Sequence, residues 1–211
     1  FASAPYFVYT GNTAASSNRS IALTGGSATI ISRNAPLTLS GNVTSFSQSL
    51  VLQGSAGGGA NFNELSGIYS GGGSLYVQSG SGDVWKISGN NTYTGITYSQ
   101  FSSATIAGHS NAFGSTANGT QVTQNSQILL TGNISVGAEA LILNSSAFGS
   151  WNGQYGAALR SYTGNNSWAG AITLGQATTI ATNSGAGLTL SGGIGGTFNL
   201  FFNSIGDTIA S

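Results

Sequence analysis

Apolar and polar residues alternate along this chain in short runs and do not recur at helical spacing. Runs at 5–10, 20–24, 28–32, 37–40, 50–53, 75–78, 84–88, 127–131, 140–143, 171–174, 188–191 and 198–202 set apolar side chains among Ser, Thr and other small residues, and each closes within two residues of Gly or Asn. A period of two is the strand signal, and Gly/Asn punctuation is the turn signal. No stretch puts apolar residues three and four apart between caps, so the pattern predicts almost no helix.

The connections are too brief for helical crossovers, and hairpin signals are sparse. Asn118-Gly119 and Asn152-Gly153 are the two Asn-Gly pairs, and both read better as corners of a winding coil than as hairpins. Strand, corner, strand with little else is the pattern of a parallel β-helix, whose coils stack about 4.8 Å apart. A coil of roughly 20 residues would give about ten coils in one β-solenoid spanning 1–211. A Greek-key sandwich is the structural alternative, but it predicts no long repeat.

A long repeat is present. Tyr9-Thr10-Gly11-Asn12 leads to Ala28-Thr29-Ile30, Ile87-Ser88-Gly89-Asn90 to Ala104-Thr105-Ile106, and Tyr162-Thr163-Gly164-Asn165 to Thr178-Thr179-Ile180. These super-repeats of about 75 residues start near 9, 87 and 162 and slip by a few residues, as stacked units do and a unique globular core does not.

The segment Ile87-Ser88-Gly89-Asn90-Asn91-Thr92-Tyr93-Thr94-Gly95 resembles the autotransporter-associated β-strand repeat, whose core reads like L-x-L-S-G-x-N-T-Y-T-G. The stretch 162–174 is a diverged version of it. Asn111-Ala112-Phe113-Gly114-Ser115 is similar to the family's N-A-L-G-S corner, and Leu188-Thr189-Leu190-Ser191-Gly192 and Leu37-Thr38-Leu39-Ser40-Gly41 are similar to its L-T-L-S-G coil. The resemblance implies a right-handed parallel β-helix in the extracellular passenger region of a large bacterial surface protein. It implies no catalytic residues.

Composition narrows the function. Only 4% of residues are charged, against roughly 25% in an ordinary soluble domain, and the net charge is zero. That excludes an electrostatic footprint for nucleic acid or an anionic membrane. Low charge suits stacking, since like charges about 5 Å apart repel by nearly 1 kcal/mol even in water, whereas Asn, Ser and Thr can form ladders along the stack. Without cysteine there is no disulfide framework or thiolate metal site, which is compatible with an exported bacterial protein. No apolar run approaches the roughly 18 residues that span a bilayer.

Candidate chemistry is thin. Glu64 and Asp83, separated by one coil length, could meet on adjacent coils as the paired carboxylates of a polysaccharide lyase or hydrolase; solvated corner positions are the ordinary reading of the acids. His109, the single histidine, would need Asp83 or Asp207 to build a nucleophile-activating pair, and zinc has too few ligands. Glycine runs at 57–59, 71–73 and 192–196 lack the helix that a phosphate cradle requires and read as tight or mobile corners. Among aromatics, Tyr6, Phe7, Tyr76, Trp85, Tyr93, Trp168, Phe198, Phe201 and Phe202 could stack inside the coil or form a face. Tyr93 and Trp168 are equivalent in the repeat, which favours a shared structural role. Adjacent Phe201 and Phe202 cannot both point inward from a strand, so one needs another cover. Sequons at Asn18, Asn42, Asn90, Asn118, Asn133, Asn144 and Asn165 are as many as chance provides.

The sequence therefore predicts a non-enzymatic, extracellular cell-surface protein without catalytic, cofactor-binding or metal-binding residues: a solenoid subunit or segment of a bacterial filament, sheath or giant stalk. Its expected partners are copies of itself, or the continuation of one long chain, because a strand begins near Pro5, another strand-like run occupies 207–211, and neither end shows a polar cap. An adhesin passenger that binds glycans is the alternative.

Overall fold

The computed structural model of the chain describes residues 5–54, 62–78, 84–146 and 156–205. Among these residues the chain is all β, and every strand pairing is parallel. Two nine-stranded sheets run the length of the molecule. The first stacks Tyr6–Tyr9, Ala28–Ser32, Leu50–Gln53, Leu75–Gln78, Thr97–Gln100, Thr120–Thr123, Leu141–Asn144, Ile172–Leu174 and Ile194–Gly195. The second stacks Ala15–Ser17, Leu37–Leu39, Asn63–Leu65, Val84–Ile87, Ala104–Ala107, Gln127–Thr131, Leu159–Thr163, Thr178–Asn183 and Leu200–Ile205. A third side closes the coil with two shorter ribbons: Ile21–Leu23, Val43–Ser45 and Tyr69–Ser70, then Ser135–Val136, Asn165–Trp168 and Gly187–Leu190. Between the ribbons the third side continues without strands, held by Thr92 N–H on the Tyr69 carbonyl and Ser115 N–H on the Tyr93 carbonyl.

Among the described residues the fold is thus a β-solenoid of nine rungs, about eight full turns. The expectation of ten coils took roughly 20 residues for each coil. Successive rungs are spaced more widely than that in sequence, as the stacked partners Ala28 and Leu50, Leu75 and Thr97, and Ile172 and Ile194 show. The rung from Leu141 to Ile172 is longer still, yet its strands pair in the same register. Length variation is therefore absorbed at corners while the ladder stays aligned.

In-register stacking turns the inward positions into columns. One column of the first sheet reads Phe7, Ile30, Leu52, Val77, Ser99, Val122, Leu143 and Leu174. One of the second reads Trp85, Thr105, Ile128, Leu159, Ile180 and Phe202. The third side is filled by large rings: Tyr69 packs on Tyr93 at 4.7 Å between ring centroids, and Phe113 on Trp168 at 5.3 Å. All four are buried. Where stacked corners leave backbone groups unpaired, buried asparagines supply the partner. Asn91 accepts from Tyr69 N–H at 2.8 Å and donates to the Ala112 carbonyl at 2.9 Å, and Asn166 accepts from Ile134 N–H at 2.9 Å.

Glycine marks the closest corner approach. A Cβ at Gly71, whose φ is +112°, would stand 1.7 Å from the Ser45 carbonyl oxygen one rung away. The second and third sequence copies occupy equivalent places, with Gly89 and Gly164 after second-sheet strands, Asn91 and Asn166 buried, and Tyr93 and Trp168 filling the third side. The first copy lies on the other face, since Ala28–Ser32 belongs to the first sheet. A Gly-Asn corner followed by a strand serves at more than one corner of the coil.

Asn91→Ala should lower the unfolding free energy in urea by about 3 kcal/mol, because it orphans a buried donor and a buried acceptor. The exposed neighbour substitution Asn90→Ala should stay within about 0.5 kcal/mol of the parent.

Candidate functional site: buried polar core, outer faces and open ends

The candidate residues are distributed along the coil, so each is described on its own rung. Glu64 stands on the outward side of the second sheet, opposite Lys86 of the next rung. Its carboxylate lies 3.2 Å from Lys86 Nζ and accepts from Ser88 Oγ at 2.6 Å, while Lys86 also sits 5.8 Å from the centroid of the Phe62 ring. A carboxylate committed to a lysine and a serine on a strand face is a cross-rung tie. Asp83 and Asp207 lie outside the described residues. His109 is half-buried at a turn, where its Nδ1 accepts from Asn111 N–H at 3.0 Å.

Glycines 57–59 also lie outside the described residues, whereas Gly71 and Gly73 sit in stacked corners against backbone of the preceding rung. Trp85, Tyr93 and Trp168 are fully buried, so these rings belong to the core. The outward-facing aromatic pair is a different one, and it is half-buried. Tyr76 and Tyr98 occupy one outward column of the first sheet and stack at 4.7 Å with 9° between ring planes. Gln78 and Gln100 hydrogen-bond beside them. The two rings turn their faces towards each other along the stack, an arrangement that braces the sheet rather than offering a platform.

A buried polar group that sequence reasoning assigned to solvent is Glu139. It is 2% exposed, and its carboxylate accepts from Thr120 Oγ1 at 2.7 Å; the Trp168 indole N–H donates to its backbone carbonyl at 2.7 Å. Thr120 stacks on Thr97, which hydrogen-bonds the Tyr93 hydroxyl. Burial pushes the Glu139 carboxyl up to about 7, the Thr120 hydrogen bond opposing this in part. The corner expectation failed because the segment before Leu141 is roofed by the next rung, where Gly170 packs against the Glu139 backbone. Arg160 is a second buried charged residue: it lies on the outward side of the second sheet, 5.7 Å from the centroid of the Tyr162 ring, and burial lowers its pKa.

A polar spine follows the corner between the two long sheets. Ser103 donates to the Val77 carbonyl at 2.9 Å, Ser145 to the Ser126 carbonyl at 2.7 Å, and Thr178 to the Ser145 carbonyl at 2.7 Å. These hydroxyls have structural partners. Among the described residues no group of three or more His, Cys, Asp or Glu could hold a metal ion, and no helix is long and apolar enough to cross a membrane.

The end rungs differ from the interior. At one end Tyr6 is 67% and Phe7 53% exposed; at the other, Phe201 is 55% and Phe202 68% exposed, with Ile194 and Phe198 also open. Phe201 and Phe202 point to opposite sides of their strand, as alternation requires, yet neither is covered. A cleft of about 320 Å³ beside the last rung is lined by Ile180, Leu188, Leu190 and Phe202 among others.

The class defined by these features is the parallel β-solenoid with apolar end rungs. No protein-family model, curated protein or solved structure matches the chain.

The buried carboxyl gives a pH dependence with a definite sign. An acid whose folded pKa lies near 7, above its ordinary 4.5, binds more protons folded than unfolded between those values. Stability should therefore fall as pH rises from about 4.5 through 7, by roughly 3 kcal/mol at about 1.36 kcal/mol for each pH unit. Glu139→Gln should flatten that slope and be the more stable protein at pH 8, as read from urea midpoints across pH.

Proposed function

We propose that the chain is a non-enzymatic structural solenoid, a subunit or segment of an extracellular bacterial filament, sheath or stalk. The observation that carries this reading is the continuity of the core columns up to end rungs whose apolar side chains stand open, so that the molecule has the form of a section of a longer rod. The likeness of 87–95 to the autotransporter-associated repeat supports a surface location. So does the scarcity of charge, which leaves the outward columns of the first sheet to Tyr, Gln, Thr and aliphatic residues.

The alternative of a glycan-binding adhesin rested on an exposed row containing Tyr93 and Trp168. Both are buried, and the stacked Tyr76 and Tyr98 rings cover each other's faces. For the hydrolase alternative, Glu64 is engaged by Lys86 and Ser88.

Immunogold electron microscopy of the native source tests the reading. Label on filaments, sheath or stalks at the cell surface is the expected result; label confined to the cell interior would overturn it. The intact mass of the native polypeptide then separates a subunit near 21.0 kDa from a segment of a larger chain.

A further inference from the structure

The rung-to-rung contact inside the solenoid is a repeated interface whose two halves are left open at its two ends. We propose that a second copy of this chain seats its first rung, Tyr6–Tyr9 and Ala15–Ser17, on the last rung, Ile194–Gly195 and Leu200–Ile205, in the register that already joins every pair of rungs within the molecule. This deepens the structural reading above and rests on it.

Three observations favour a copy of the same chain as the occupant. The joint continues both long sheets without a change of strand direction, because all their pairings are parallel. The end residues are also complementary in size, column by column. The first-sheet column that opens with Phe7 runs through Leu174, and Gly196, beyond the last strand, packs against Leu174 and brings no side chain to the end of the stack. In the second sheet the relation is reversed. The column that opens with Ala15 over Leu37 closes with Phe202 over Ile180. A head-to-tail joint thus sets a large ring against glycine in one sheet and against alanine in the other, and a single rigid placement satisfies both because each column is defined on the same rungs. Exposed Ile194, Phe7 and Phe202 become core residues in one step.

The third observation is the absence of charge. None of the strand residues 6–9, 15–17, 194–195 or 200–205 is ionisable except the tyrosines, so closing the joint buries no ion. A contact between unlike ends of one molecule does not close on itself and propagates as a fibre.

Introduced thiols test the register, since the chain has no cysteine of its own. Ser16 and Asn203 are exposed ends of one outward row that runs through Thr38, Glu64, Lys86, Ile106, Leu129, Arg160 and Ala181. At the joint, Ser16 of one copy faces Asn203 of the next across about 4.8 Å, within disulfide reach. Mild oxidation of the 211-residue chain carrying Ser16→Cys/Asn203→Cys should give a non-reducing ladder at multiples of 21.0 kDa. The offset variant Ser16→Cys/Phe201→Cys, about 8 Å apart at the joint, should remain a single band. Adding Phe202→Asp to the first variant should abolish the ladder, while circular dichroism reports an intact fold because Phe202 is exposed. Equal ladders from both pairs, a ladder that survives Phe202→Asp, or no ladder from concentrated protein would overturn the proposal. Failure of this cross-link beside positive surface-filament labelling would remove only the end-to-end joint; failure of the labelling would remove the structural reading itself.

Discussion

The parallel backbone ladder between successive rungs is the constraint on which the rest of this molecule depends. Each strand must meet the next at one spacing, about 4.8 Å, whatever length of chain lies between them. The corners obey that spacing at the expense of side-chain freedom. They carry glycine where the neighbouring carbonyl leaves no room for a Cβ, as at Gly71, and buried asparagine where a bend removes a backbone partner, as at Asn91 and Asn166. A side chain in a column is therefore selected against its neighbours above and below more than against its neighbours in sequence.

The same constraint explains why so uncharged a chain keeps a polar interior. Thr97, Ser99 and Thr120 stand in inward columns that are otherwise mostly aliphatic, and each finds a partner within the stack: the Tyr93 hydroxyl, the Gln127 carbonyl and the Glu139 carboxyl. Hydroxyls stacked at rung spacing can be satisfied by backbone carbonyls, as along the corner from Ser103 to Thr178. Charges stacked at that spacing need opposite sign, which is how Glu64 and Lys86 are placed.

Much of this was legible in the sequence. The strand-like run at 207–211 lies outside the described residues; among the described residues every alternating run read as a strand lies on one, and the runs at 28–32, 50–53, 75–78 and 127–131 share the observed limits. Several strands carry mostly polar residues and show no alternation to read. Thr97–Gln100, Thr120–Thr123 and Asn165–Trp168 offer little apolar alternation, because their burial comes from rungs far away in sequence. Tyr93 and Trp168 could be matched through the repeat, and both are core. Glu139 could not be recognised as buried, since its roof is Gly170 on the rung above and its partner Thr120 on the rung below, and no local pattern announces either.

A rod built this way gains length by adding rungs and gains stability from contacts each rung makes with its two neighbours. The central claim, that one ladder fixes rung spacing independently of sequence spacing, is tested most directly by spin-label distances along the outward column Tyr6, Gln121, Ile142 and Thr173. Pairs from Tyr6 to Gln121, Ile142 and Thr173 span five, six and seven rungs and should give about 24, about 29 and about 34 Å. The steps should be equal although the chain between Ile142 and Thr173 is much longer than that between Gln121 and Ile142. Unequal steps, or distances that do not increase along the column, would contradict the account.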